Sequence, residues 1–492
     1  MKEKFASFFG KIKEFYTSEE TKKKAFIITG GVAAAIVIAI VLIAVLSGGK
    51  SEEPDTKVVN ATPTATEEPT PQPTETPTTT PTVTEEPTPT EIQVEETPTP
   101  TPDPLEIHLA NGEKQSYITG QWVKEEVANQ RPYCMMFNNI AVANPQSGIG
   151  CAEILYEILV EGNITRCMGV FENLTDESSC KDRMGSVRSA RHYYASIASE
   201  YDAIFIHYGE TTYATKKIAA LKLDHLEGTY GEGNIVFYRD NNIKAPHNAF
   251  ASLAGIHKAI EQKKFRTEHK EDFVPQHFDF AYPEIGLNSI DRIELNDILA
   301  TGNTDTADNS ENAGTTGNTD VNTAGDADSS ANTTETTGNA VDAELALAPQ
   351  DISTAALVKL PFSSYAQPYL TYDEETKLYT RYQYGGVHID YNTNEPLTFN
   401  NIIIQIVQES NRDKNGYQDI EGYGDRDGHH DPVTGKGYYI CEGKCIEITW
   451  AKNEAAYTCN YYTLDGTRLV LRPGKTFIAL FPHYRADKIE IE

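Results

Sequence analysis

The chain of 492 residues is long enough for two or three domains. It carries 42 Lys and Arg against 72 Asp and Glu, a formal net charge of −30. This balance excludes a general nucleic-acid binder, because such a protein needs a basic surface.

The first predicted element is a membrane anchor at residues 25–46, a long apolar run without a charged residue. As a helix it is long enough to cross a hydrocarbon core of about 30 Å. Lysines concentrate in residues 1–24, so the positive-inside rule predicts a cytoplasmic head and an extracellular remainder. A cleaved signal peptide is the alternative, although its apolar core is typically only about 7–15 residues long.

Two low-complexity segments separate the remaining regions. Residues 47–104 are rich in Pro, Thr and Glu and have no apolar face to bury, which predicts a disordered, extended stalk. Residues 301–350 are rich in Thr, Asn, Asp, Ala and Gly, and we interpret them as a linker.

Strand and helix signals alternate in residues 105–300, which predicts an α/β domain with a mixed sheet. Residues 351–492 contain short, aromatic-rich strand signals and no long helical pattern, which predicts an all-β domain. The overall class is therefore α+β. In the first region we expect strands at 132–139, 154–161, 164–171, 202–209 and 234–240, and helices at 186–201, 212–222 and 251–265.

The segment CEGKC is the clearest disulfide candidate among the seven cysteines. A hairpin with a three-residue turn would place Cys441 across from Cys445, and disulfides are allowed outside the membrane. The alternative is two small apolar residues in a hairpin. Cys134, Cys151, Cys167 and Cys180 lie in or near apolar strands and are expected to be buried.

Two arginines at the start of the predicted helix 186–201 indicate a candidate anion site. Arg188 and Arg191 are three residues apart, so they would be neighbours on a helix. Cations oppose the dipole at a helix N-terminus, but guanidinium groups beside free helical N–H groups bind anions well. The alternative is structural, with each arginine paired to a carboxylate of the domain.

The strands at 154–161 and 164–171 suggest an acid–base candidate. If Gly162-Asn163 forms a two-residue turn, Glu157, Glu161 and Arg166 share one face of the hairpin. An ion pair on a solvated face is the simplest interpretation of Arg166 with Glu161. Glu157 lies deeper among apolar residues, where a carboxylate needs a partner or its pKa rises, so it is the candidate general acid or base.

Further polar residues lie where predicted strands and helices meet, which is a usual place for ligands. Arg239 ends a strand, and Lys244, His247 and Asn248 precede a helix for which Asn248 is a suitable N-cap. His207 ends another strand, with Glu210 three residues later. It is interpreted either as a packed histidine or as a second catalytic candidate.

No metal or cofactor is predicted. The segment GDRDGHHDPVTGKG at 424–437 resembles a fragment of a calcium loop and has two histidines suited to a transition metal, but it lacks the closing Glu of such loops. A solvated acidic turn is the preferred interpretation. No Walker A, G-x-S-x-G, H-E-x-x-H or C-x-x-C motif is present.

Several stretches resemble the YerB-like lipoproteins of Gram-positive bacteria, across about 125–300 and 355–485. They are PQSGIGCAEILYEILVEGNITRCMGVF, GSVRSARHYYASIASEYDAIFIHYG, KAPHNAF, GKGYYICEGKCIEITW and LVLRPGKTFIALFP. The resemblance implies a two-domain extracellular architecture whose N-terminal domain has no assigned function. The positions that match its motif stretches are Arg166, Arg188, Arg191, Asp202, His207, Arg239, Pro246, His247 and Asn248.

The chain departs from that family's pattern in its anchor, its long stalk and its linker. An apolar segment replaces the usual lipidated cysteine, which keeps the location outside the membrane and changes only the means of attachment.

The hypothesis from the sequence is a membrane-anchored extracellular protein that binds an anionic envelope ligand, such as a cell-wall polymer or a sugar phosphate. Arg188, Arg191, Arg239 and His247 would hold the anion. The alternatives are a scaffold for protein partners at the cell surface and a hydrolase or transferase acting on envelope glycans.

Overall fold

The computed structural model describes residues 104–174, 180–274, 278–302, 350–423, 433–452 and 458–492. Its helices are α1 (Pro104–Ala110), α2 (Glu125–Ala128), α3 (His192–Glu200), α4 (Thr212–Leu221), α5 (Leu253–Lys263) and α6 (Ser289–Gly302).

The strands fall into two sets along the chain. The first set is β1 (Glu113–Gln115), β2 (Trp122–Lys124), β3 (Tyr133–Asn139), β4 (Ile154–Val160), β5 (Ile164–Phe171), β6 (Arg183–Gly185), β7 (Ile204–His207), β8 (His225–Glu227), β9 (Phe237–Arg239), β10 (Ala249–Ser252) and β11 (Asp279–Phe280). The second set is β12 (Ile352–Thr354), β13 (Leu357–Lys359), β14 (Tyr369–Asp373), β15 (Leu378–Gln383), β16 (Gly386–Val387), β17 (Thr398–Phe399), β18 (Asn401–Val407), β19 (Glu409–Asn411), β20 (Gln418–Ile420), β21 (Val433–Cys441), β22 (Lys444–Lys452), β23 (Cys459–Thr463), β24 (Val470–Leu471), β25 (Thr476–Pro482) and β26 (Glu490–Ile491).

One mixed sheet of 11 strands runs through both sets, in the order β12-β22-β21-β18-β25-β4-β5-β3-β7-β8, with β23 beside β22. The two sets meet where β25 pairs in parallel with β4, from Thr476 opposite Ile154 to Leu480 opposite Ile158. The sequence left open whether the two folded regions touch. In the structure they share a backbone hydrogen-bond ladder.

Both faces of this sheet are covered, which explains the uninterrupted apolar run ILYEILV in β4. Every residue of that strand is buried, as expected for a strand with neither face in water. On one face Ile158 packs in a core with residues of α3, and on the other Leu155 packs in a core with α5 and the sheet formed by β13 to β17 and β26.

The structure confirms mixed sheets with few helices and a C-terminal all-β region. Within 350–423, 433–452 and 458–492, regular structure consists of strands and one 3-10 turn, His483–Lys488. The aromatic-rich strands predicted there are present. The strands predicted at 132–139 and 164–171 correspond to β3 and β5.

The predicted register of the β4–β5 hairpin is wrong by one residue. The connection is Glu161–Asn163, three residues rather than two, so Ile158 faces Arg166 and Glu157 faces Cys167. A slip of one residue exchanges the faces of a strand. Glu157 and Arg166 therefore lie on opposite faces of the sheet and do not share one.

The helix predicted at 186–201 begins later, at His192, with Arg191 as its N-cap. Residues before it are extended against two strands: the amide of Arg188 donates to the carbonyl of Met136 at 3.2 Å, and that of Tyr208 donates to the carbonyl of Arg188 at 3.1 Å. The proposed pair of arginines on one helical turn is therefore wrong.

Asn248 is likewise not the N-cap of the helix that follows it. The strand β10 comes first, and the hydroxyl of Ser252 caps α5 by accepting from the amide of Gly255 at 3.1 Å.

The structure pairs Cys151 with Cys180 in a disulfide, with Cα atoms 5.9 Å apart, and leaves Cys441 and Cys445 as buried free thiols. The β21–β22 turn has two residues, so Cys441 faces Lys444 and Cys445 faces Ile440. The two thiols then enter opposite cores. The predicted bridge in CEGKC is wrong because the turn is one residue shorter than assumed.

The predicted anchor at 25–46, the stalk up to residue 103, the linker from 303 to 349 and the calcium-like turn at 424–432 lie outside the described residues. Among the helices that the structure describes, none combines the length and apolar character needed to cross a bilayer.

Candidate functional site

A cationic cluster of three arginines and a histidine lies beside the start of β5, formed by Arg166, Arg188, Arg239 and His247. They come from β5, the extended segment before α3, the end of β9 and the loop before β10. The β6-β10-β9 sheet positions two of these elements, since Arg239 pairs with Ala249 across β9 and β10. Three of the four residues predicted from sequence to hold the anion, Arg188, Arg239 and His247, are thus brought together, with Arg166 beside them.

Arg188 is half-buried at the centre of the cluster. Burial, together with the nearby cations Arg166 and Arg239, lowers its pKa to about 10. It remains charged at neutral pH. Its Nη1 donates to the carbonyl of Pro246 at 3.4 Å, and its buried Nε has no hydrogen-bond partner among the described residues.

Arg166 forms the buried floor of the cluster, with 4% of its surface exposed. Its Nη1 donates to the carbonyl of Ser189, and its Nε lacks an acceptor within the described chain. Burial lowers its pKa. The nearest carboxylate, that of Glu161, is 3.8 Å from Nη2.

Arg239 forms the exposed rim. Its Nη1 donates to Oδ1 of Asn248 at 2.7 Å, and its guanidinium carbon lies 4.8 Å from the centre of the Tyr208 ring. Asp240, the next residue, already pairs with Arg183 at 2.9 Å. Within the part of the chain that the structure describes, no carboxylate lies within ion-pair distance of Arg188 or Arg239.

His247 adds a neutral donor. Burial and then the charge of Arg188 lower its pKa, which favours the neutral imidazole at pH 7. Its Nδ1 lies 3.0 Å from Nδ2 of Asn138. An amide nitrogen can only donate, so Nδ1 accepts and Nε2 carries the proton.

Arg191, predicted as half of the anion-binding pair, has a structural partner instead. Its guanidinium binds both carboxylate oxygens of Glu161, with Nε to Oε2 at 2.9 Å. It also donates to the carbonyls of Ser189 and Ala190. Lys244, another predicted ligand-binding residue, is exposed in the loop before His247.

Glu157, predicted as a general acid or base, is fully buried in a network that joins the two regions. Its Oε2 accepts from Nη2 of Arg381 at 2.6 Å, and its Oε1 accepts from Asn139 and Thr165 at 2.9 and 2.7 Å. Neither residue of the ion pair has an exposed side chain. This geometry favours a structural role, since a substrate cannot reach the carboxylate without local opening.

The network continues from Arg381 through His388 to Gln146. Burial, reinforced by the Arg381 cation, lowers the pKa of His388 well below its usual range. The neutral ring accepts from Nη1 of Arg381 at Nδ1 and donates from Nε2 to Oε1 of Gln146 at 2.6 Å. Arg381 and His388 lie more than 200 residues after Glu157, so their partnership left no local pattern in the sequence.

The second catalytic candidate, His207, is buried at the end of β7 beside Glu210 and His225. The structure therefore places the two predicted catalytic residues in different clusters. Within the described chain, the cationic cluster combines buried and exposed guanidinium groups with a neutral N–H donor, and Arg188 and Arg239 have no carboxylate partner.

Two domain families match the chain. Residues 118–266 match the "Protein of unknown function (DUF3048) N-terminal domain", and residues 358–478 match the "Protein of unknown function (DUF3048) C-terminal domain". The "Putative lipoprotein YerB" of Bacillus subtilis (strain 168) is 26% identical over 373 residues, 76% of this chain and 87% of that protein. The crystal structure of YerB protein from Bacillus subtilis aligns with a TM-score of 0.54 and 24% identity, over 77% of this chain and 99% of that one.

Proposed function

Because the chain belongs to the YerB-like family defined by the two DUF3048 domains, whose function is unknown, we propose a function from its own site. The protein is an envelope protein that binds an anionic ligand through Arg166, Arg188 and Arg239, with His247 as an added hydrogen-bond donor. The observation that carries this proposal is the close approach of three guanidinium groups, two of them without a carboxylate partner among the described residues.

Electrostatics supports an anion at this position. Like charges that repel in a partly buried site destabilise the fold unless a counter-ion is present. An anion with several oxygens could accept from the buried Nε groups of Arg166 and Arg188. Arg166 is buried and Arg239 is exposed, so the cluster extends from the interior to the surface, which supports entry of a ligand from solvent.

The expected location in the cell envelope suggests the class of ligand. A relative is described as a lipoprotein, which suggests a membrane-anchored surface protein. In this chain we assign anchoring to residues 25–46 and the folded regions to the outside. Since the chain carries a net charge of −30, a cell-wall polymer or sugar phosphate would bind at the local cationic cluster against overall repulsion.

The test is co-sedimentation of the full-length chain, in detergent, with cell-wall sacculi before and after removal of their anionic polymers. The variant Arg188→Ala/Arg239→Ala is compared with Lys216→Ala/Lys258→Ala, which removes the same charge from exposed positions. Each charge-assisted hydrogen bond contributes about 1.5–3 kcal/mol, so the arginine variant should bind at least about tenfold more weakly.

The lysine control should bind intact sacculi as the wild type does. Sacculi without anionic polymers should bind neither the wild type nor the control. Circular dichroism checks that each variant is folded. Equal binding by the two double variants, or undiminished binding to stripped sacculi, would contradict the proposal. Arg239→Ala alone provides a second test, since removal of this exposed side chain leaves the buried floor intact.

A further inference from the structure

His207, Glu210 and His225 converge at the ends of two neighbouring parallel strands. His207 closes β7 and His225 opens β8, with Phe205 opposite His225 in the register. The two histidines are therefore diagonal neighbours on one face, and their rings stack with centroids 5.3 Å apart and planes at 4°. Glu210 follows three residues after His207, just past the turn at Gly209.

The ligating atoms have the spacing of a metal site. Nε2 of His207 lies 3.1 Å from Nδ1 of His225 and 3.7 Å from Oε2 of Glu210. All three atoms lie within 4.8 Å of one another. For metal–ligand bonds of about 2.0–2.1 Å in a tetrahedron, neighbouring ligand atoms lie about 3.3 Å apart.

Hydrogen bonds around the cluster orient its first histidine. Nδ1 of His207 lies 3.0 Å from the carbonyl of Gly209, to which it can only donate. The lone pair of Nε2 then faces the cluster, as it does in metal-bound histidines whose other nitrogen donates to a carbonyl.

Glu210 is held in a similar way. Its Oε1 accepts from the hydroxyl of Thr215 at 2.7 Å, whereas its buried Oε2 has no hydrogen-bond donor among the described residues. The turn itself is secured by Glu227, which accepts from the amides of Gly209 and Thr229 at 2.9 and 2.7 Å. Oε2 of Glu210 is thus the electron-rich atom that a cation in the cluster would satisfy.

We propose that His207, Glu210 and His225 bind a divalent transition-metal ion, with Zn²⁺ the best match. Two imidazoles and one carboxylate suit a late first-row metal rather than Ca²⁺ or Mg²⁺. Without a cation, Nδ1–H of His225 can donate to Nε2 of His207. Metal binding moves that proton to Nε2 of His225 and leaves Nδ1 free to coordinate.

Access to this site is compatible with metal exchange from solvent. His207 is fully buried, but His225 and Glu210 are half-buried. Three protein ligands leave at least one coordination position for water or another small ligand. The proposal rests on these contacts alone and is independent of anion binding at the arginine cluster.

The experiment is a titration of the full-length chain with Co²⁺, a spectroscopic substitute for Zn²⁺, followed by competition with Zn²⁺. His429 and His430, which lie outside the described residues, are replaced by Ala in every sample to remove a possible second site. In this background we expect one Co²⁺ per chain, with visible absorption bands that Zn²⁺ abolishes.

Replacing His225 with Ala or Glu210 with Gln should weaken Co²⁺ binding at least about tenfold, since even residues behind the ligands contribute 10–100-fold. His483→Ala, at an exposed histidine, is the matched control and should bind like the background. Glu210→Gln keeps the side-chain shape and its Thr215 contact, so it separates loss of a ligand from loss of folding. Absence of stoichiometric binding, or unchanged affinity in folded Glu210→Gln and His225→Ala, would overturn the proposal.

Discussion

Replacing Arg381 with Met should destabilise the whole folded unit, because it leaves the carboxylate of Glu157 buried without its cation. Both side chains are fully buried, and Nη2 of Arg381 lies 2.6 Å from Oε2 of Glu157. The replacement also removes the donor to His388. Removing one partner of a buried ion pair costs about 3–5 kcal/mol, and this is the loss we expect in the free energy of unfolding.

The double variant Glu157→Gln/Arg381→Met distinguishes the cost of the unpaired buried charge from the cost of lost packing. The introduced amide would keep the acceptor for Asn139 and Thr165 while removing the uncompensated charge, so the double variant should be more stable than Arg381→Met alone. Lys359→Met, which breaks an exposed pair with Glu490 at 2.5 Å, is the control and should cost less than about 1 kcal/mol.

The assay is urea unfolding of the full-length chain, with the free energy obtained by linear extrapolation. A loss below about 1 kcal/mol for Arg381→Met would show that water reaches the carboxylate and would refute the buried-network reasoning. A double variant less stable than Arg381→Met would also refute it, since the charge would then not be the source of the loss.

Three further outcomes follow from the same structure. Since one sheet spans both regions, they should unfold together. The unfolding transitions reported by Trp122 in the first region and Trp450 in the second, each as the sole tryptophan, should coincide in urea, and separated midpoints would contradict this. Replacing Cys151 and Cys180 by Ala opens a loop with a sequence separation of 29. By the loop-entropy estimate this should lower the free energy of unfolding by about 3–4 kcal/mol, measured by urea unfolding. A reducing agent should no longer change the stability of this variant. Burial raises the pKa of Glu409 from 4.5 to about 8, so its stabilising contribution is complete below pH 4.5 and is lost as the pH rises through 8; Glu409→Gln should flatten the pH profile of the urea midpoint between these values.

The sequence predicts most of the strands because both-sided burial leaves long apolar runs. Turn length was the weak point. The β4–β5 turn was assumed to have two residues, Gly162-Asn163, but it has three, and the error placed Glu157 on the same face as Arg166. The turn in CEGKC was assumed to have three residues, but it has two, and the error aligned Cys441 with Cys445. Because strand faces alternate with every residue, each small error reversed a prediction about side chains.

The predicted start of α3 failed for a different reason. Residues 186–190 have a pattern compatible with a helix, but the backbone of Arg188 is hydrogen-bonded to Met136 of β3 and to Tyr208, the residue that follows β7. Tertiary hydrogen bonds overrode the local preference. The arginines were recognised as unusual for a helix start, and one of them, Arg188, lies in the cationic cluster because it is outside the helix.

Long-range partners were beyond the reach of local patterns. Glu157 required Arg381 from β15, a strand of the second sheet packed against β4, and His207 required His225 from the next strand. The first pairing becomes visible only when the packing of the two sheets is known, and the second only when the strand order is known. The 11-stranded sheet that joins the two regions rests on the β4–β25 pairing, which has no short-range signature.

The most direct measurement of the central claim is a calorimetric titration of the full-length chain with a soluble polymer of phosphodiester-linked glycerol. Wild type should bind saturably, and rising salt should weaken binding because the contacts are ionic. Arg188→Ala/Arg239→Ala should lose that binding while Lys216→Ala/Lys258→Ala retains it. Absence of binding by the wild type, or equal affinities of the two double variants, would contradict an anion site at the arginine cluster.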